Sequence, residues 1–106
     1  MTTELLFEVM TPLGFAVRCT RSYWEFIVTH KHPVLRGHER EVEAVLADPD
    51  EVRRSRKDEW VLLFYRKDAA RWLGAVARRE DGSGYLITAY PTDAIKAGET
   101  IWTRSR

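Results

Sequence analysis

The chain has 106 residues, of which 44% are hydrophobic and 31% charged, a balance that excludes a disordered chain and allows one domain with one hydrophobic core over residues 1–106. No apolar run nears the ~20 residues of a bilayer span, and no basic region followed by an apolar run opens the chain, so no membrane segment and no secretory signal is expected. The net charge of +1 points, as a total, to no particular class of partner.

Leu5–Met10 and residues 15–19 are short strand-like runs. Between them Thr11-Pro12-Leu13-Gly14 puts proline and glycine at the second and fourth positions of a type I turn, which predicts a β-hairpin. Cys19, the lone cysteine, excludes an internal disulfide and suits a reducing cytoplasm; its expected role is that of a small buried hydrophobe in a strand. Ser22 and Glu25 have capping-box spacing, and Trp24, Ile27, Val28 and Lys31 follow at helical spacing, so a first helix is expected that stops at His32 before Pro33. A second helix is predicted over residues 38–47, with Val42, Val45 and Leu46 as its apolar stripe, ended by Asp48-Pro49-Asp50. Residues 51–55 read as an edge strand guarded by arginine. Strands are then expected over 60–66, 72–79 and 85–90, the last two joined by the loop Glu80-Asp81-Gly82-Ser83-Gly84. Strict alternation would put Leu86, Thr88 and Tyr90 on one face of the last of these strands, and Tyr85, Ile87 and Ala89 on the other. A turn of helix over 92–96 and an extended piece over 100–103 complete the chain. The order predicts an α+β fold: a short β-hairpin, then two N-terminal helices packed on a four-stranded antiparallel meander sheet whose other face is either covered by the hairpin or left open.

Charge is unevenly spread. Residues 36–51 carry two arginines against six acids, a net −4, whereas residues 53–79 carry nine bases against three acids, a net +6. One acidic and one basic surface would follow, or an ordinary mixed one.

Trp24-x-x-Ile27, His32-Pro33, Asp48-Pro49-Asp50, Ser55, Phe64-Tyr65-Arg66, Thr88-Ala89-Tyr90, Thr92-Asp93, Ile95-Lys96-x-Gly98 and Trp102 occur in an order that resembles the nuclease-like domains of the barnase, EndoU, colicin and RelE superfamily. The resemblance covers about residues 17–102. It implies two helices ahead of a four-stranded antiparallel sheet and metal-independent RNA cleavage in a small cytoplasmic, toxin-type ribonuclease, with RNA as the partner, no cofactor and a neutralising protein partner. The chain departs from the pattern at Phe26, where relatives often carry histidine. That departure leaves open a catalytically inactive module of the same fold that binds RNA or protein.

Metal-free RNA cleavage needs a base for the 2′-hydroxyl, an acid for the leaving oxygen and a cation on the phosphate. His32 is the first candidate for acid or base, since imidazole is the side chain that ordinarily titrates near neutrality; a helix-stop residue bonded to backbone is the alternative. Arg66, at a strand end, fits a bidentate phosphate contact or a surface cation equally. Thr88 and Tyr90 share a strand face, where a hydroxyl can bind phosphate and a phenol can stack on a base, although both are also ordinary strand residues. Arg53, Arg54, Ser55, Arg56 and Lys96 are the candidate RNA-binding residues, an edge strand's own charges being the alternative for the arginines. His30 is expected at a helix C-terminus and His38 half-buried near the apolar stripe. No cysteine cluster or helical His-Glu-x-x-His accompanies the three histidines, so no metal is expected.

Overall fold

The computed structural model describes residues 4–96 and 98–105. Strands β1 (Leu5–Met10) and β2 (Ala16–Thr20) form the N-terminal hairpin. Helix α1 (Arg21–Phe26) continues as a π-helical turn, Ile27–Lys31, then a 3-10 turn at Pro33–Leu35 and helix α2 (Glu39–Ala47). Strands β3 (Glu51–Arg54), β4 (Val61–Asp68), β5 (Arg71–Glu80), β6 (Ser83–Thr92) and β7 (Glu99–Thr103) complete the fold. All seven strands form one sheet in the order β1-β2-β6-β5-β4-β3-β7.

This corrects the expected four-stranded antiparallel meander with two N-terminal helices: the sheet is seven-stranded and mixed, and its helices are short. The hairpin does not stand apart, because Phe7, Val17 and Cys19 must be buried and find cover only in the common core. It enters the sheet by a parallel pairing of Ala16–Arg18 with Ser83, Gly84 and Tyr85. At the other side β7 covers β3, so residues 51–54 are not an edge; Arg54 pairs with Glu99, and Thr100 donates to Glu51. The helical turn expected over 92–96 is absent. Thr92 ends β6, and its hydroxyl organises a tight bend with Ala94.

Helix α1 starts two residues earlier than Ser22–Glu25 suggested, because Thr20 is the cap: its hydroxyl accepts the Tyr23 N–H at 3.2 Å. Glu25 turns outward to Arg36 and Thr29 instead. The helix stops at His32, whose N–H closes the π turn on Ile27. His38 is exposed beside Glu41 rather than half-buried, since it precedes α2 and lies off its stripe. No helix of the described residues is long and apolar enough to cross a membrane.

One apolar cluster joins Trp24, Ile27, Val28, Leu35, Val42, Val45 and Leu46 to Leu62, Phe64, Leu73, Ala75, Ala77, Leu86 and Ala89 on one sheet face. Burial of these side chains, at about 25 cal/mol per Å² of apolar surface, is the main force holding helices to sheet. The residues that alternate with them, Val61, Leu63, Tyr65, Val76, Thr88 and Tyr90, occupy the opposite face. The alternation in β6 is broken by a bulge between Leu86 and Thr88. The strict alternation expected for residues 85–90 therefore fails: Leu86 turns to the core, while Thr88 and Tyr90 stay on the open face.

Asp48 and Asp50 clamp the start of β3 to the C-terminal segment and to β4. Asp48 pairs with Arg66 and Arg104, and Asp50 accepts the Lys67 N–H at 2.7 Å and the Arg104 guanidinium at 2.9 Å. The Lys67 amide first, and Arg104 after it, hold the Asp50 carboxyl below its ordinary value. A carboxylate so depressed stabilises the fold above the unfolded-state value of about 3.9 and loses that contribution as pH falls through the folded value. Urea midpoints should therefore decline below about pH 4 in the parent. Asp50→Asn should start about 1–3 kcal/mol lower at neutral pH and show a shallower acid decline; equal acid limbs in the two proteins would contradict the clamp.

Candidate nucleic-acid groove

The open face becomes a groove because three segments rise around it. Its floor is Val61 and Leu63 of β4, Val76 of β5 and Thr88 of β6. The connection between β3 and β4 supplies Ser55, Arg56 and Lys57; the turn after α1 supplies His32; and the crossover from β6 to β7 supplies Lys96. Tyr90 completes a cavity of about 740 Å³.

The crossover lies here for a topological reason. Strand β7 is four strand positions from β6, about 19 Å at the usual inter-strand spacing. The chain between Thr92 and Glu99 reaches about 25 Å at full extension, so the crossover has little slack. Gly98 lets it lie close: a Cβ there would sit 2.5 Å from the Arg54 carbonyl oxygen. Lys96 is pinned at both backbone groups, its N–H donating to the Tyr65 hydroxyl at 3.3 Å and its carbonyl accepting from Arg53 at 3.1 Å.

His32, Ser55, Arg56, Thr88, Tyr90 and Lys96, singled out from the sequence, thus line one groove. Arg66, Arg53 and Arg54 do not line it. Arg66 is in register with Leu73 and Pro91, on the helix-side face, and donates to the Asp48 carbonyl and carboxylate at 2.6 and 2.9 Å. It therefore cannot share a phosphate with Thr88, which faces the other way. Arg53 is tied to Glu51 at 2.6 Å and to the Lys96 carbonyl, and Arg54 to Glu99. Phe26 also lies outside the groove, its ring against Tyr23 and His30. Trp60, the exposed indole, lines neighbouring surface with Arg78 and Arg79 rather than the groove.

Electrostatically the groove is one-sided. Among the described residues its lining holds Arg56, Lys57, Lys96 and His32 and no carboxylate. Among the described residues Arg56, Lys57 and Lys96 have no ion-pair partner, whereas Arg36, Arg54, Arg66, Arg71, Arg78 and Arg104 are all paired. The Tyr90 ring sits 5.8 Å from the His32 ring and 5.9 Å from the Lys96 ammonium. Burial, with the Tyr65 hydroxyl 3.4 Å away, pushes the Tyr90 phenol well above its ordinary value, so it stays protonated and can donate. Thr88 Oγ1 is buried and has no hydrogen-bond partner among the described residues. Native folds rarely leave such a group unmatched, because desolvating it costs about 1–3 kcal/mol. Among the described residues no three His, Cys, Asp or Glu side chains gather as a metal site.

Tyr65 and Gly74 support the groove from beneath, and neither was singled out by composition or spacing. An isolated glycine inside a strand is a signal of close approach by a neighbour, and Gly74 carried that signal. Comparison with family models, with curated proteins and with solved structures finds no match to this chain.

Thr88→Val keeps the shape and removes the unmatched hydroxyl. It should raise stability by about 1–2 kcal/mol in urea denaturation, with Thr88→Ser giving no such gain. A destabilised valine variant would mean that the hydroxyl has a partner in the folded protein.

Proposed function

We propose that this groove binds the phosphodiester backbone of RNA and cleaves it without a metal ion, by attack of the 2′-hydroxyl. The observation that carries the reading is the convergence of Arg56, Lys57, Lys96 and His32 on a groove without carboxylates, above the unmatched hydroxyl of Thr88. Unpaired cations over an apolar floor suit a polyanion with flat bases. The resemblance of the sequence to the barnase–EndoU–colicin–RelE superfamily supports the same chemistry, and with it a toxin-type enzyme acting in the cytoplasm and held in check by a neutralising protein partner.

His32 takes the 2′-hydroxyl proton, and the 2′-oxygen attacks phosphorus as the bond to the 5′-oxygen breaks. Tyr90, kept protonated, donates to the departing oxygen. Lys96 and Arg56 hold the non-bridging oxygens as charge builds on them. The products are a 2′,3′-cyclic phosphate and a 5′-hydroxyl. Arg66, ion-paired on the far face, takes no part in this scheme.

A second reading, RNA binding without cleavage, is favoured by one feature. Among the described residues His32 is the only imidazole or carboxyl group in the lining, so base and acid cannot be a matched pair of such groups.

Purified protein incubated with single-stranded RNA in excess chelator should give fragments ending in cyclic phosphate. His32→Ala should slow this by about 10²–10⁴-fold. The affinity should fall with salt, with a slope of about −0.7 for each phosphate contact. Salt-sensitive binding with no cleavage selects the second reading; no binding at low salt overturns both.

A further inference from the structure

Tyr65 lies beneath the groove and touches two of its members without lining it. It is 1% exposed and stands apart from the apolar cluster between helices and sheet. Register places Tyr65, Gly74 and Tyr90 side by side on β4, β5 and β6. A Cβ on Gly74 would lie 3.0 Å from Tyr90 Cε1 and 3.1 Å from Tyr65 Cε1, so both rings lean over bare backbone. That lean is what lets hydroxyls from strands two positions apart come within 3.4 Å. The Tyr65 oxygen also accepts the Lys96 N–H, at 3.3 Å. One buried phenol thus joins the floor residue Tyr90 to the crossover residue Lys96, whose ammonium returns over the Tyr90 ring.

We propose that Tyr65 and Gly74 are positioning residues that fix where Lys96 and Tyr90 meet a phosphodiester in the groove. The proposal rests on the reading of the groove as an RNA site and adds how its cation is aimed. Without the phenol oxygen the Lys96 amide loses its partner on the sheet, and the crossover is held at that residue by Arg53 alone. A side chain at position 74 would push the two rings apart by a few tenths of an ångström and move Tyr90 against Lys96. Neither residue can reach a ligand itself, so both act through others.

A buried tyrosine with a purely structural role would alter stability and leave the number of phosphate contacts unchanged. Salt dependence separates the two cases, because Tyr65→Phe changes no charge. The probe is a labelled 2′-O-methyl single-stranded oligonucleotide, which cannot be cleaved by 2′-hydroxyl attack, titrated by fluorescence anisotropy across a salt series. Lys96→Met should make the slope of log affinity against log salt shallower by about 0.7, the value of one contact on a single strand. Tyr65→Phe should lose a similar amount of slope while remaining folded in urea denaturation, and the double variant should lose no more than Lys96→Met alone, as expected for residues acting through one contact. Gly74→Ala, with Tyr65 intact, should shift the slope in the same direction. A parent slope retained in Tyr65→Phe but lost in Lys96→Met overturns this inference and leaves the groove reading standing. An unchanged slope in Lys96→Met also overturns it. A parent that shows no salt-sensitive binding removes the groove reading, and this inference with it.

Discussion

Strand β6 has a partner on both sides for only its first three residues. There Ser83, Gly84 and Tyr85 pair with β2, and beyond them one edge of the strand is free. Unpaired backbone carbonyls in a half-buried strand are costly, and here one is answered from outside the sheet. The bulged Ile87 carbonyl accepts from the Tyr23 hydroxyl at 2.7 Å and from the Lys31 ammonium at 3.5 Å. These contacts draw the α1 segment and its π turn alongside β6, which brings His32 to Tyr90. Pro91 is tolerated in the strand for the same reason, since its missing N–H lies where pairing with β2 has already ended. The early parting of β2 from β6 thus leaves the edge against which the α1 segment and its imidazole are placed.

The opposite wall depends on a different constraint, the distance the chain must cover to reach β7. A short connection across three strands leaves little slack, so its residues are held against the sheet face by specific contacts. Tyr65, Arg53 and Gly98 supply them, respectively as acceptor, donor and a bare backbone surface. A loop of twice the length would have been free to lift away, and Lys96 would have been an ordinary surface lysine.

Charge reinforces this division of the molecule. Ion pairs gather where the chain needs fastening: Asp48 and Asp50 with Arg66 and Arg104, Asp58 with Arg78, Glu51 with Arg53. Surface pairs of this kind contribute little individually, but they neutralise much of the basic excess between residues 53 and 79. What remains on the groove side, among the described residues, is a small set of cations without ion-pair partners. The near-zero net charge thus conceals a local field that the total does not express.

Much of this was legible in the chain itself. Periodicity placed α2 and the strands β4, β5 and β6 within a few residues, because each carries its own apolar pattern. Residue type marked His32, Arg66, Thr88 and Tyr90 as the groups with chemistry to offer, and the resemblance added Lys96. Local sequence could not assign faces or partners. Arg66 follows Tyr65 in a strand, so one residue of register sends it to the helix side, where Asp48 neutralises it. A bulge at Ile87 reverses the alternation that would have set Leu86 beside Thr88. The hairpin's place in the sheet and the addition of β7 are long-range pairings whose energy comes from burying surfaces far apart in sequence, and no short pattern encodes them. The sequence by itself determined which residues form elements and which carry reactive groups. Only the tertiary structure decided which of those groups face one another, because strand register and chain crossing are settled by packing over the whole sheet rather than by any segment within it.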